Sequence, residues 1–211
     1  MDPSIVHSDC FLGRGASGRV FRVRKKRDND NRKLHNDDNE ELALKVVLGT
    51  DGMGRLAQEA LKMKTHASLL QEAGVTTTAH GYKEYPRREI GALLTGPVGI
   101  PIKRLKKRIR AALESLKQLN QKGLAHGDAR WPNVIIIEED GETSSLKGLW
   151  IDLRTLEEVE SVEDQEQCFV HDMVEFYSSF NSVEATDQEL EVRIRDYLAD
   201  DSALEDLLDA M

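Results

Sequence analysis

The sequence has little with which to staple or anchor a chain. Its 211 residues include two cysteines, Cys10 and Cys168, far apart and at no metal-ligand or redox spacing, so nothing points to an oxidising compartment or to zinc. No apolar run approaches the roughly 20 residues that cross a bilayer. The first residues are acidic and polar where a signal peptide is basic and then apolar. A cytoplasmic or nuclear location without a membrane is therefore expected. Basic residues are scarce in the last part of the chain: residues 131–211 hold 4 Lys and Arg against 23 Asp and Glu, whereas residues 1–130 hold 25 against 15. A +10/−19 split hidden inside a net charge of −9 suits nucleic acid or a small anion equally, so motifs must decide the partner. What remains, 39% hydrophobic and 32% charged, suffices for one domain or for two small lobes sharing a cleft.

Phe11-Leu12-Gly13 and Gly18 to Val23 predict two short strands around a glycine-rich turn. Lys25 to Glu41 has no apolar periodicity and reads as a solvated loop before the buried strand Leu42 to Leu48. A helix is predicted over about Arg55–Glu72, then strands over Val75–Tyr82 and Ile90–Thr95. Gly96 to Pro101 carries too much Gly and Pro for helix or strand and reads as a hinge. Another helix runs over about Ile102–Lys122, stopped by Gly123, with a stripe of Ile109, Ala112, Leu113, Leu116 and Leu119. Two strands, Val134–Ile137 and Leu146–Leu153, flank a turn at Asp140-Gly141, and acidic helices follow over about Asp164–Phe180, Asp187–Ala199 and from Ser202.

Three groups of residues carry chemistry. Gly13-x-Gly15-x-x-Gly18-x-Val20 lets backbone amides approach phosphates; it also suits a hairpin with no ligand, and the strand continuing through Arg19 to Val23 disfavours a strand-to-helix dinucleotide loop. Lys45 stands in an otherwise apolar strand and needs a partner, which Glu59 on the inward face of the next helix can supply; a snorkelling lysine and a surface glutamate are the plain alternatives. His126-x-Asp128-x-x-x-x-Asn133, with Asp152 19 residues further on, offers a base and two hard oxygen ligands for magnesium. Singly, each has a bland role in a turn or at a strand end. In this order they are specific.

Together these elements resemble the protein kinase-like superfamily over roughly residues 10–180. The resemblance implies an α+β, bilobal protein kinase-like fold: a β-rich N-lobe with one main helix, and a shortened, mainly helical C-lobe. Residues 1–211 would form a single domain, with 8–95 as N-lobe, 96–101 as hinge and 102–211 as C-lobe. It further implies ATP and Mg2+ as cofactors. Gly13, Gly15, Ala16, Ser17 and Gly18 would cover the phosphates, Lys45 would hold them, and Glu59 would position Lys45. Val20, Ala43 and Ile135 would sandwich adenine, with Thr95 to Val98 as hinge backbone. Asn133 and Asp152 would bind the metal. Asp128 would be the catalytic base, and Arg130 would neutralise the transferred group. His126, Met63 and Leu153 would stack as an internal spine, and Asp172 would brace the catalytic loop.

The departures are informative. Gly127 replaces the arginine of kinases switched by activation-loop phosphorylation, and His-Gly-Asp is similar to RIO and KEOPS-complex kinases and to aminoglycoside and choline phosphotransferases. His126-Gly127-Asp128-Ala129-Arg130 through Pro132-Asn133 also resembles the kinase-like domains of Crinkler-type effectors. Arg154 stands where a glycine usually falls. Only 59 residues follow Asp152, with no Ala-Pro-Glu segment, so peptide-docking helices are expected to be missing or short. The expected function is a phosphotransferase with an alcohol acceptor, a serine/threonine protein kinase first. A nucleotide-binding pseudokinase scaffold and a small-molecule phosphotransferase are the alternatives. ATP is the expected partner; the protein substrate is open. Nucleic acid, through Lys103 to Arg110, ranks below both, because a solvated helix face explains that stretch equally well.

Overall fold

The computed structural model describes residues 11–15, 18–24, 41–103, 105–139, 145–181 and 188–209. Cys10, Ala16, Ser17, the charged stretch 25–40 and the turn at Asp140-Gly141 lie outside them. The described chain divides into two compact units: residues up to Lys64 with Thr77–Val98, and Thr65–Thr76 with the residues from Gly99 onward.

The first unit is an antiparallel sheet of five strands, β1 (Phe11–Gly15), β2 (Gly18–Arg24), β3 (Glu41–Leu48), β4 (Thr78–Tyr85) and β5 (Ile90–Gly96), in the order β1-β2-β3-β5-β4. Leu42 and Leu44 of β3 alternate onto one face, where they cluster with Val23 and Ala92, as a half-buried strand's period of two requires. Helix α1 (Thr50–Thr65) buries Leu56, Glu59 and Met63, spaced three and four apart on one stripe. A Cβ at Gly91 would meet Val47 at 3.1 Å and Leu56 and Met53 at 3.4 Å. The missing side chain at Gly91 thus lets α1 pack close to the sheet. Gly18 is equally constrained, since a Cβ there would lie 2.4 Å from the Val46 carbonyl.

The second unit begins with α2 (Ala67–Ala73), so the single predicted helix over Arg55–Glu72 is two helices parted at His66. Its start was also hidden: Gly52 and Gly54 are poor helix formers, yet α1 begins at Thr50. The strand predicted from Val75 begins only at Thr78, because Val75 is fully buried in the second unit and its carbonyl accepts the Trp150 N–H at 2.8 Å.

Strands β6 (Ile100–Pro101), β8 (Val134–Glu139) and β9 (Ser145–Trp150) form a sheet in the order β6-β8-β9. The expected irregular hinge therefore ends in a short edge strand, a place where proline is tolerated. Helix α3 (Lys106–Gln121) starts four residues later than predicted, and Ile102 is buried ahead of it. It lies directly on β9, where a Cβ at Gly148 would fall 2.4 Å from Ser115 Oγ. A two-stranded ribbon, β7 (Leu124–Ala125) with β10 (Glu157–Glu158), and helices α4 (Val162–Asn181), α5 (Gln188–Ala199) and α6 (Leu204–Asp209) complete the unit. Trp150 stacks edge-on against Phe176 of α4 at 5.7 Å and His126 at 5.1 Å. A β-rich unit with one main helix is followed in the chain by a mainly helical one, the α+β make-up in two units that the sequence predicts.

Candidate active site

In the first unit, β1 and β2 meet as a hairpin with Gly15 opposite Gly18 and Gly13 opposite Val20, so the glycine motif joins strand to strand. Val20 faces Lys45 across β2–β3, and Ala43 pairs with Thr95 of β5. The Lys45 ammonium donates to Glu59 Oε2 at 2.7 Å, with the two side chains 17% and 6% exposed. The pairing expected of a charged residue in an apolar strand is met, and it locates Lys45 from α1. Met63 follows Glu59 one turn later, also buried.

In the second unit the loop from His126 to Asn133 connects β7 to β8 and is braced from α4. Asp172, fully buried, accepts the His126 N–H at 2.7 Å through Oδ2 and the Gly127 N–H at 2.9 Å through Oδ1. Asn120 of α3 ties the same region down by donating to the Leu124 carbonyl at 3.0 Å. Burial pushes the Asp172 carboxyl above its ordinary value, against the pull of His126 and the two backbone N–H groups. Gly127 has φ +71°, and a Cβ there would meet the Thr155 carbonyl at 2.8 Å. An arginine at this position would be strained as well as crowded.

His126 is a structural residue in this arrangement. It is buried, its Nε2 donates to the Ile151 carbonyl at 3.1 Å, and its Nδ1 accepts the Asp128 N–H at 3.3 Å. It thereby links the loop to the segment carrying Asp152. Leu153 is fully buried beside it in sequence.

Asn133 Nδ2 donates to the Asp128 backbone carbonyl at 2.9 Å, and the Asn133 backbone carbonyl accepts the Ile151 N–H at 2.9 Å. Asp152 comes next, beyond the end of β9 and not inside a strand running to Leu153, with φ +59°. Aspartate tolerates that left-handed region better than most residues. Arg154 sits exposed in the following 3-10 turn, Leu153–Thr155. The left-handed residue here is thus Asp152 itself, and nothing in the turn demands glycine at 154. Asn133 Nδ2 is used by Asp128, so the hard donors of this pair are the Asn133 amide oxygen and the Asp152 carboxylate. Two protein oxygens suit Mg2+, which keeps several waters and takes phosphate oxygens for the rest. Among the described residues no group of three His, Cys, Asp or Glu side chains could hold a metal.

Arg130 forks onto Asp128: Nη2 donates to Oδ2 at 2.8 Å and Nε to Oδ1. Its guanidinium is held above its ordinary pKa first by that bond, with further support from the charges of Asp128, Glu175 and Asp152. Ile135 lies half-buried in β8, opposite Leu149. Sequence reasoning did not single out Asn120 or Trp150. Asn120 sits beside Leu119 on the buried side of α3, and a polar residue there is the one available signal.

No protein-family model matches this chain, and no curated protein does. Among the solved structures to which it is similar is WaaP in complex with acyl carrier protein, 17% identical with a TM-score of 0.46, over 95% of this chain and 86% of that one.

Proposed function

We propose that this protein is an ATP- and magnesium-dependent phosphotransferase that moves the γ-phosphoryl group to a hydroxyl, with a serine or threonine of a protein as acceptor. The observation that carries the reading is the block in which Asn133 bonds at 2.9 Å both to the Asp128 carbonyl and to the N–H of Ile151, the residue before Asp152. A base and two cation oxygens then come from one braced element, and phosphoryl transfer depends mainly on such positioning.

In this reading Asp128 takes the proton of the acceptor hydroxyl as its oxygen bonds to the γ-phosphorus. The bond from that phosphorus to the bridging oxygen breaks, and its electron pair leaves with ADP. Arg130 turns part of its fork from Asp128 to the transferring group. Lys45, steadied by Glu59, holds the α- and β-phosphates, which Gly13, Gly15, Ala16, Ser17 and Gly18 cover. Val20, Ala43 and Ile135 flank adenine. Magnesium, held by Asn133 and Asp152, supplies positive charge to the phosphate oxygens when bound. The strand-to-strand glycine loop, the strand lysine and Arg130 favour a protein acceptor over a small alcohol.

One feature favours a second reading, a nucleotide-binding scaffold: Arg130 engages both oxygens of Asp128, the atoms that a base would have to offer to the acceptor hydroxyl. Incubating the purified chain with Mg2+, γ-labelled ATP and a protein and peptide panel separates the two. Transfer is expected in the wild type, lowered at least about 100-fold by Asp128→Asn with nucleotide affinity kept, whereas Lys45→Met weakens nucleotide binding too. ATP binding without transfer to any acceptor overturns the enzyme reading in favour of the scaffold. Transfer to small alcohols alone replaces the acceptor class.

A further inference from the structure

Asp172 is not the only residue of α4 that receives the catalytic loop. One turn on, Glu175 Oε2 accepts the Ala129 N–H at 2.8 Å. A further turn on, Ser179 Oγ accepts the Trp131 N–H at 2.9 Å while donating to the Phe176 carbonyl at 2.8 Å. Spacings of three and four place Asp172, Glu175 and Ser179 on one stripe of the helix. The N–H groups of His126, Gly127, Ala129 and Trp131 all end on that stripe.

The bond to Ala129 differs from the others in what lies behind it. The Ala129 N–H and the Asp128 C=O belong to one peptide unit, which is planar and rigid. Glu175 holds the N–H end of that plane, and Asn133 Nδ2 donates to its C=O end at 2.9 Å. A carboxylate acceptor makes a charge-assisted, stronger bond, and withdrawing the proton side of the peptide makes its carbonyl a better acceptor for Asn133. Fixing the plane also fixes the Cα of Asp128, from which the carboxylate projects.

We propose that Glu175 is a positioning residue which, through the Asp128–Ala129 peptide, sets both the Asp128 carboxylate and the metal-facing amide of Asn133. Its effect on magnesium rests on the phosphotransferase reading; its effect on the loop does not. Outer-shell partners of metal ligands typically change affinity or activity 10- to 100-fold, so Glu175→Ala is expected to raise the half-saturating Mg2+ concentration about 10-fold and to lower kcat, with the KM for acceptor unchanged. Glu175→Gln keeps an oxygen acceptor and removes the charge that Arg130 also feels, so it should restore most of the magnesium response.

The decisive readout needs neither metal nor nucleotide. Residue-resolved amide exchange on the full chain should show Ala129 exchanging at least about 10-fold faster in Glu175→Ala than in wild type, with Glu175→Gln close to wild type. If Glu175→Ala does not fold, Glu175→Asp keeps the charge but shortens the reach, and should loosen Ala129 likewise. Unchanged Ala129 exchange in the folded variant overturns the proposal, as does an unchanged magnesium requirement in an active enzyme. A wild type that binds nucleotide and transfers no phosphate overturns the phosphotransferase reading instead, and leaves the exchange result to decide the role of Glu175.

Discussion

Arg130 holds both carboxylate oxygens of Asp128, two positions before it in the chain, with Nη2 2.8 Å from Oδ2. The arginine side chain is 53% exposed, so water screens the pair and its share of stability is at most about 1 kcal/mol. In the proposed phosphotransferase its importance would be to chemistry, because a planar fork can share a carboxylate with a phosphoryl group and lysine cannot do so in the same way. Arg130→Ala should therefore lower the melting temperature by no more than about 4 °C while reducing phosphotransfer about 10- to 100-fold. Arg130→Lys should recover the charge and only part of the rate. Thermal melts and steady-state kinetics on the three proteins check this.

The Lys45–Glu59 pair is the opposite case. Glu59 is 5% exposed, so Lys45→Met takes the ammonium away from a buried carboxylate, at a cost of up to about 3 kcal/mol. Changing both partners to apolar residues of similar volume removes that buried charge. Lys45→Met/Glu59→Met should thus be more stable than Lys45→Met alone, although neither would bind nucleotide well. Urea denaturation of the singles and the double measures the coupling.

These two pairs were legible in different ways. Lys45 stood out because an ammonium in an apolar strand needs an explanation, and Asp128, Asn133 and Asp152 because hard oxygen chemistry restricts residue type. The stripe of α3 was equally readable from periodicity, and β3 from its apolar run. What escaped depends on contacts that no local pattern carries. Val75 looks like the start of a strand until Trp150 takes its carbonyl. Ile100 and Pro101 look irregular until β8 pairs with them. Glu175 looks like one more acid on an acidic helix, and its spacing of three from Asp172 was the sole hint that it faces the same loop.

The charge split has a partly internal explanation. Lys106 of α3 pairs with Asp209 at 2.5 Å and Glu205 at 3.3 Å on α6, Arg110 pairs with Glu205, and Lys117 with Asp201 at 2.8 Å. The acidic end of the chain thus pairs with Lys106 and Arg110 of the basic stretch that first suggested nucleic acid. Wild-type protein should show little retention on DNA or heparin at low salt. Glu205→Gln/Asp209→Asn uncovers Lys106 and Arg110, and should produce retention that falls steeply with added salt. Because the pairs are exposed, the same variant should lose less than about 1 kcal/mol of stability. Column retention against salt, alongside urea denaturation, tests both halves.

Cys168 on α4 provides the pH test. Burial raises its thiol pKa first, and the charges of Glu157, Asp172 and Asp164 raise it further. The thiolate is the reactive form, so alkylation at neutral pH should be slower than for a free thiol. The rate should keep climbing about 10-fold per pH unit past the ordinary thiol pKa. Glu157→Gln removes the largest of the three charges and should speed the reaction. The sign for stability follows from the same shift. The folded thiol keeps its proton to higher pH than the unfolded one, so its contribution is complete below the unfolded pKa and is lost as pH rises through the folded value. Iodoacetamide kinetics on a Cys10→Ser background, from pH 7 to 10, should show the delayed rise; a plateau at the ordinary thiol pKa would contradict it.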